Sequence, residues 1–274
     1  MTGKLGLVAG GGGLPVAIAE ACRTQGRPYF VIRLKGMAEA ALGGHPGEDV
    51  GLAELGRCLK ALKAAGCGSV CFAGNVRRPD FTALRPDLKG LQHLPAIMAA
   101  ARRGDDALLR AVLKVFEAEG FAVEGVGEAG SSLLLPAGPL GTFQPLESEL
   151  GDVQLAVRAA QEVGRTDIGQ AAVAREGAVV ARETEAGTDA MLAAYAEEAP
   201  SGRAGVLAKM PKPHQDLRVD IPTIGVATVE AAAWAGLVGI VGQAGALLVV
   251  DAPKVREAAD RLRVFVYGLE VRPR

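Results

Sequence analysis

Short apolar runs separated by amphipathic stretches dominate the first half of the chain. Four of these runs predict buried β-strands, at 4–9, 29–34, 69–73 and 121–126. The stretches between and around them predict helices, at 16–25, 52–65, 92–103 and 105–119. Because strands that alternate with helices are typical of a parallel sheet with right-handed crossovers, we predict an N-terminal Rossmann-like α/β domain.

This alternation breaks at 127–149, where glycines and prolines accumulate. We therefore predict a first domain at 1–135, a linker at 136–148 and a second domain at 149–274. The length of 274 residues also favours two domains.

The second half of the chain mixes helical and strand patterns. Helices are predicted at 152–163, 190–194, 228–235 and 253–261. Strands are predicted at 171–175, 178–182, 205–210, 236–240, 246–250 and 263–269. Glu176 and Gly177 separate the first two of these strands, which is the spacing of a two-residue hairpin turn. We predict a mixed α/β domain with antiparallel pairs.

Composition narrows the possible functions. Hydrophobic residues make up 49% of the chain and charged residues 22%, as in an ordinary globular protein. A net charge of −1 and an aromatic content of 4% argue against nucleic acid as a partner. We find no signal-peptide core and no apolar run long enough to span a bilayer, and we expect a cytoplasmic protein.

The cysteines do not indicate a metal site. All four, Cys22, Cys58, Cys67 and Cys71, lie in apolar stretches, and no pair has the C-x-x-C spacing. The chain has only 3 histidines, so a zinc site of cysteine and histidine is not expected. We interpret the cysteines as reduced core residues.

A glycine-rich turn follows the first predicted strand, with the sequence Gly10, Gly11, Gly12, Gly13 and Leu14. Glycines before a helix let backbone N–H groups approach a phosphate closely. The dinucleotide fingerprint is incomplete, because Pro15 stands where a third glycine or alanine belongs. The second strand also ends at Arg33, Leu34 and Lys35, with no acidic residue there to hold a ribose. We interpret the turn as a phosphate or nucleotide contact, with a purely structural tight turn as the alternative.

Two basic residues, Arg77 and Arg78, follow the third predicted strand at the edge where α/β sheets bind ligands. They could pair with a phosphate or lie in solvent. We interpret Asp105 and Asp106, which follow Gly104, as the first turn of a helix.

A third loop contains Thr188 and Asp189 at the start of a predicted helix. Thr188 could cap this helix, and the carboxylate of Asp189 could either complement the helix dipole or ligate a metal ion.

The segment 209–222 is the densest in ionisable groups. If it is extended, Asp216, Arg218 and Asp220 lie on one face, where two carboxylates could hold a divalent cation. Together with Lys209 and Lys212, this set suits phosphoryl chemistry, in which charge neutralisation supplies much of the catalysis. The alternative is an exposed edge strand with mixed charges.

At these motifs the sequence resembles the UDP-2,3-diacylglucosamine pyrophosphatase family of lipid A biosynthesis, of the type that is not calcineurin-like. The resemblance spans nearly the whole chain. It is carried by residues 7–15, 74–79, 104–109, 167–170, 187–191 and 209–222, of which the last two are the most specific.

The resemblance implies Mg²⁺-dependent hydrolysis of UDP-2,3-diacylglucosamine to UMP and 2,3-diacylglucosamine 1-phosphate (lipid X), with the ligand held between two domains. It implies that three carboxylates hold Mg²⁺ or orient water, those of Asp189, Asp216 and Asp220. It implies that three cations balance the charge of the pyrophosphate, those of Lys209, Lys212 and Arg218. The remaining ligand contacts would be the glycine turn, Leu14, Arg77, Arg78, Thr188 and Gln215.

Two other classes stay open from the residues alone. One is another nucleotide-sugar enzyme, such as a transferase, and the other is a non-catalytic module that binds a nucleotide sugar. Peripheral contact with the inner membrane and a homodimer are both compatible with the sequence.

Overall fold

The computed structural model describes residues 3–76, 84–213 and 221–270. The chain divides into two compact units, Met1–Gly130 and Ser131–Arg274. Residues 136–148, which we predicted as a linker, fall in the second of these units.

The first unit is built on a parallel sheet of five strands, in the order β3-β2-β1-β4-β5. The strands are β1 (Leu5–Ala9), β2 (Tyr29–Leu34), β3 (Gly47–Val50), β4 (Ser69–Ala73) and β5 (Ala122–Val123). This is the strand order of a Rossmann sheet up to its fifth strand, which confirms the predicted fold class. The order reverses between β1 and β4, so the ligand crevice of such a sheet lies at their carboxyl ends.

The helices of this unit follow the predicted pattern with shifted ends. They are α1 (Gly13–Thr24), α2 (Leu55–Ala64), α3 (Leu88–Ala101), α4 (Asp105–Ala118) and the short α5 (Val126–Ala129). α3 begins before the predicted residue 92 because the Asp87 carboxylate accepts a hydrogen bond from the Gly90 N–H, 2.8 Å away. α4 begins at Asp105, directly after Gly104, as predicted.

The core of this unit lies on the β-strands and α2. Ile32, Leu62 and Val70 are fully buried within it. All four cysteines are buried and free, which confirms their interpretation as reduced core residues. Burial raises the pKa of Cys58 and of Cys71 to about 12.

The second unit contains a mixed sheet of six strands, in the order β6-β13-β11-β9-β7-β8. Its strands are β6 (Gly138–Pro139), β7 (Ala171–Arg175), β8 (Ala178–Arg182), β9 (Val206–Lys209), β11 (Gly239–Gln243) and β13 (Phe265–Leu269). A separate parallel pair is formed by β10 (Thr223–Ile224) and β12 (Leu248–Val249). The strands β9, β11 and β13 are mutually parallel, whereas β6, β7 and β8 each run antiparallel to a neighbour. The predicted mixed α/β class is confirmed.

Helices cover both faces of this sheet: α6 (Leu150–Arg165), α7 (Gly187–Glu198), α8 (Val226–Trp234) and α9 (Ala252–Leu262). Ala171 and Val173 of β7 join the core cluster that contains residues of α7, α8 and α9. Ala172 and Ala174 join a second cluster with α6. Successive side chains of a strand point to opposite faces, which explains why β7 is buried along its whole length.

The hairpin between β7 and β8 forms at the predicted residues. Glu176 and Gly177 both have positive φ, 51° and 80°, as a two-residue turn that matches the strand twist requires. The carboxylate of Asp152, in the first turn of α6, accepts hydrogen bonds from both of their N–H groups at 2.8 Å. The turn is thereby attached to the helix that covers the sheet.

Among the described residues, no helix combines the length and the apolar character needed to cross a membrane.

Candidate functional site

The glycine turn of the first unit lies at the switch point of its sheet. Gly11 and Asn75 pair through their backbones, with N–H to O distances of 2.9 and 2.8 Å, and so join the loops after β1 and β4. A Cβ added to Gly10 would lie 2.6 Å from the Asn75 carbonyl oxygen. Glycine is therefore required where these two loops meet.

The turn ends at the N-terminus of α1, and it already binds a carboxylate there. The Gly12 N–H donates to Oε1 of Glu39 over 3.0 Å. Gly12 has φ 89° and ψ 170°, a conformation that glycine alone adopts readily. Gly12 and Gly13 are exposed, and Leu14 is half-buried. This geometry suits an anionic oxygen at the helix N-terminus, which supports the predicted phosphate contact.

A cleft of about 320 Å³ lies at the carboxyl end of β2. Its lining includes four charged side chains, those of Arg33, Lys35, Glu39 and Asp49. Arg33 donates through Nε to Oδ1 of Asp49 at 2.6 Å, so this pair is internally neutralised. Arg77 and Arg78 lie outside the described residues, and their contact with a ligand remains a prediction.

In the second unit, three motifs meet at one edge of the mixed sheet. Because β7 runs antiparallel to both β8 and β9, its start lies beside the ends of these two strands. The segment 167–170 precedes β7, the segment 183–189 follows β8, and the segment 209–213 begins at the end of β9. In register, Lys209 pairs with Ala171 on one side and with Gly242 on the other. The fold therefore assembles motifs that are far apart in sequence.

Lys212 is held at this edge by the segment before β7. Its Nζ donates to Oδ1 of Asp167 at 2.8 Å and to the Asp167 carbonyl oxygen at 3.1 Å. Asp167 has φ 60°, in the left-handed region. Lys209 is partly buried at the end of β9. Two of the three predicted site cations thus lie within four residues of chain at one sheet edge.

Thr188 is not the helix cap we considered. α7 begins at Gly187, before the predicted residue 190, so Thr188 lies inside the helix. Its hydroxyl is buried and donates to Oε1 of Glu183 at 2.8 Å. Asp189 is exposed in the first turn of α7, where a carboxylate complements the helix dipole.

Two residues of this edge were missed from the sequence. Glu183 is only 8% exposed, and its Oε2 accepts a hydrogen bond from the Gln170 N–H at 2.6 Å. The Gln170 Oε1 atom is buried and accepts no hydrogen bond from the described part of the chain. The polar sequence around Glu183 predicts an exposed turn, so nothing nearby in the sequence indicates that this side chain is buried. Gln170 belongs to the motif 167–170, which did point to this segment.

The remaining predicted residues lie outside the described ranges: Gln215, Asp216, Arg218 and Asp220. The expectation that the last three share one face therefore remains a prediction. No group of three or more potential metal ligands occurs within 3–76, 84–213 and 221–270. Two of the three predicted Mg²⁺ ligands are outside these ranges.

The oxygen donors that the structure does describe at this edge fit Mg²⁺ in kind. Asp189 presents an exposed carboxylate, and Gln170 carries a buried amide oxygen without a partner among the described residues. Both are hard oxygen ligands of the type that Mg²⁺ prefers.

Comparison with known proteins agrees with the two-part architecture. The family model described as LpxI N-terminal domain matches residues 4–133, and the one described as LpxI C-terminal domain matches residues 136–267. A protein of Caulobacter vibrioides named UDP-2,3-diacylglucosamine pyrophosphatase LpxI is 54% identical over 277 residues, covering 99% of both chains. The resemblance seen in the motifs is thereby confirmed, and the chain belongs to the LpxI family.

Proposed function

We propose that this chain hydrolyses the pyrophosphate bond of UDP-2,3-diacylglucosamine in lipid A biosynthesis. The products would be UMP and 2,3-diacylglucosamine 1-phosphate. The observation that carries the proposal is the 54% identity with the Caulobacter vibrioides pyrophosphatase over 99% of both chains. The clustering of cationic and acidic motifs at one edge of the second unit's sheet supports it.

Hydrolysis requires a cationic environment and a base. The oxygen of a water molecule attacks one phosphorus of the pyrophosphate. The bond from that phosphorus to the bridging oxygen breaks, and the bridging oxygen leaves with the other phosphate. Lys209, Lys212 and Arg218 offset the negative charge that builds on the phosphoryl oxygens. One of the three aspartates takes the proton of the attacking water.

We infer that the carboxylates of Asp189, Asp216 and Asp220 hold Mg²⁺ or, in one case, orient the attacking water. When bound, the ion would polarise the phosphoryl oxygens and lower the pKa of the attacking water. Thr188 keeps acceptor lone pairs on its hydroxyl oxygen while it donates to Glu183, so it can still contact the ligand. Gln215 is a further proposed ligand contact.

The first unit contributes the contacts of its glycine turn. Gly10, Gly11, Gly12 and Gly13 with Leu14 would approach the ligand through the backbone, and Arg77 and Arg78 would pair with its phosphates. The carboxylate of Glu39, which now accepts from the Gly12 N–H, would be displaced by a phosphate oxygen at that position.

The acyl chains of the substrate need an apolar surface. Leu88 and Leu91, one turn apart on α3, are 87% and 54% exposed. Exposed large apolar side chains of this kind suit an acyl chain or the boundary of a lipid layer. We therefore propose a cytoplasmic protein that contacts the inner membrane peripherally.

The direct test is release of UMP from UDP-2,3-diacylglucosamine by the purified chain, with Mg²⁺ and with EDTA. We expect release with Mg²⁺, its loss in EDTA and its recovery when excess Mg²⁺ is added. Absence of release under either condition, from protein shown to be folded by circular dichroism, would contradict the proposal. Ligand binding without turnover would then favour a non-catalytic binding module.

Variants test the residue assignments in the same assay. We expect Asp189→Ala and Asp220→Ala to lose most turnover while the circular dichroism spectrum stays that of the folded wild type. Glu197→Gln is the matched control, because Glu197 is an exposed acid on the same helix as Asp189. Wild-type turnover in the Asp220→Ala variant would remove that residue from the site.

A further inference from the structure

A buried carboxylate stands at the centre of the polar edge of the second unit. Glu183 is 8% exposed and forms no ion pair with any described residue. Burying a carboxylate costs free energy unless hydrogen bonds replace its hydration. The structure supplies two, from the Gln170 N–H at 2.6 Å and from the Thr188 hydroxyl at 2.8 Å.

These two hydrogen bonds join three separate pieces of chain. Glu183 itself follows β8, Gln170 precedes β7, and Thr188 lies in the first turn of α7. Thr188 is covalently next to Asp189, so fixing the Thr188 side chain also fixes the start of the helix that presents the Asp189 carboxylate.

The same carboxylate orders the segment that holds Lys212. A Cβ added to Gly169 would lie 2.8 Å from both Cβ and Cγ of Glu183, so the backbone at 169 packs directly on this side chain. Two residues earlier, Asp167 binds the Lys212 Nζ. The loop 167–170 therefore packs against Glu183 and donates a hydrogen bond to it at one end, through Gly169 and Gln170, and binds Lys212 at the other end, through Asp167.

We propose that Glu183 is a positioning residue of the hydrolytic site: its carboxylate sets Asp189 through Thr188, and Lys212 through the loop 167–170. This inference rests on the proposed function, because Asp189 and Lys212 are site residues of that proposal. Glu183 itself acts through its neighbours and not on the substrate.

The test compares Glu183→Ala, Glu183→Gln and the control Glu185→Ala, whose exposed side chain lies two residues further along the same loop. We expect Glu183→Ala to lower kcat by about 10- to 100-fold and to raise the Mg²⁺ concentration for half-maximal activity, with a smaller change in KM. In Glu183→Gln the amide oxygen can accept from Gln170 while its NH₂ donates to Thr188, so we expect most of kcat to return.

Amide hydrogen exchange provides a second measurement that does not depend on turnover. In Glu183→Ala we expect faster exchange in peptides that cover 167–170 and the first turn of α7, with unchanged exchange in β11 and β13. If the Glu183→Ala variant does not fold, Thr188→Val removes one of the two hydrogen bonds to Glu183. We then expect the same increase in amide exchange in these peptides, at smaller amplitude.

The two proposals fail in different ways. A folded wild-type chain without turnover contradicts the proposed function, and the exchange measurement still decides whether Glu183 orders both segments. The role of Glu183 would be overturned if Glu183→Ala kept the kcat, the Mg²⁺ requirement and the amide exchange of the wild type while Asp189→Ala was inactive. That result would leave the proposed function intact.

Discussion

Gly74 packs against the glycine turn so closely that its backbone leaves no room for a methyl side chain. Its φ is 88°, and an added Cβ would lie 2.6 Å from the Gly11 carbonyl oxygen and 2.8 Å from Cγ of Pro15. We expect Gly74→Ala to destabilise the first unit by more than the roughly 1–3 kcal/mol that a strained φ costs by itself, because backbone atoms block the methyl group. Urea or thermal unfolding of the purified variant measures this loss.

Alanine substitutions at two other glycines distinguish the cost of a strained φ from the cost of the steric clash. Gly12 has φ 89° but no atom within 4 Å of an added Cβ, so Gly12→Ala carries the strain alone. Gly43 has neither a positive φ nor a close neighbour. We expect stability to fall in the order Gly43→Ala, Gly12→Ala, Gly74→Ala. Equal midpoints for the first and last would contradict this account of the turn.

The close backbone contacts of the glycine turn could be predicted from the sequence, whereas the burial of the Glu183 carboxylate could not. The glycine turn was visible because glycine itself signals close backbone approach. Glu183 was not visible, since nothing in a polar stretch shows that one carboxylate turns inward to meet Gln170 and Thr188. Glu39, the partner of Gly12, is exposed, but it lies 27 residues away and no local pattern connects the two.

At the scale of elements, apolar strands were predicted most accurately. β2, β4, β7 and β8 have their predicted bounds, because each is a dense apolar or alternating run limited by turn residues. β3 was missed because its sequence is Gly-Glu-Asp-Val, and only pairing with β2 at the sheet edge makes it a strand. The predicted strand at 121–126 is shortened to β5 because α5 already begins at Val126.

Three helices of the first unit meet at one carboxylate. Glu119, at the end of α4, accepts from Lys63 of α2 at 2.5 Å and also from Lys89 of α3. These two hydrogen bonds lower the pKa of Glu119 to about 2. A carboxyl group whose folded pKa is depressed stabilises the fold above its ordinary pKa and loses this contribution as pH falls towards the folded value. The contribution of Glu119 should therefore fade between about pH 4.5 and pH 2.

Glu119→Gln tests this connection between helices. We expect the variant to melt below the wild type at neutral pH, and the gap between them to narrow as the pH is lowered through this window. Melting temperatures at several pH values between neutrality and the acid limit of folding measure it. Glu257→Gln, at an exposed position of α9, should show no such pH-dependent gap. A gap for Glu119→Gln that is constant with pH would contradict the depressed pKa.

At the scale of the whole molecule, the class of each unit could be predicted but the strand order of its sheet could not. Alternation of strands and helices indicates parallel pairing, and the hairpin at Glu176 and Gly177 indicates antiparallel pairing. The order β6-β13-β11-β9-β7-β8, by contrast, depends on long-range contacts that no local pattern encodes. That order is what places the segments 167–170, 183–189 and 209–213 at one edge.

Because of where the cysteines lie, the reactivity of their thiols reports on the unfolding of the first unit only. All four cysteines precede residue 130 and are buried, so the first unit alone carries thiols. A thiol with a pKa of about 12, as for Cys58 and Cys71, has roughly a thousandfold less thiolate near neutral pH than an exposed thiol of pKa 9.0. We expect the native chain to react with DTNB slowly and only through opening of the first unit.

The labelling experiment follows thiol release with increasing urea. We expect all four thiols to become reactive in one transition, whose midpoint the Gly74→Ala variant shifts to lower urea. Ala193→Cys, at an exposed position of α7 in the second unit, gives the rate of an open thiol in the same protein. Because that thiol needs no unfolding, its rate should be independent of urea below the transition. Rapid native labelling of any of the four natural cysteines would contradict their burial, since only an exposed thiolate attacks the reagent without prior opening of the fold.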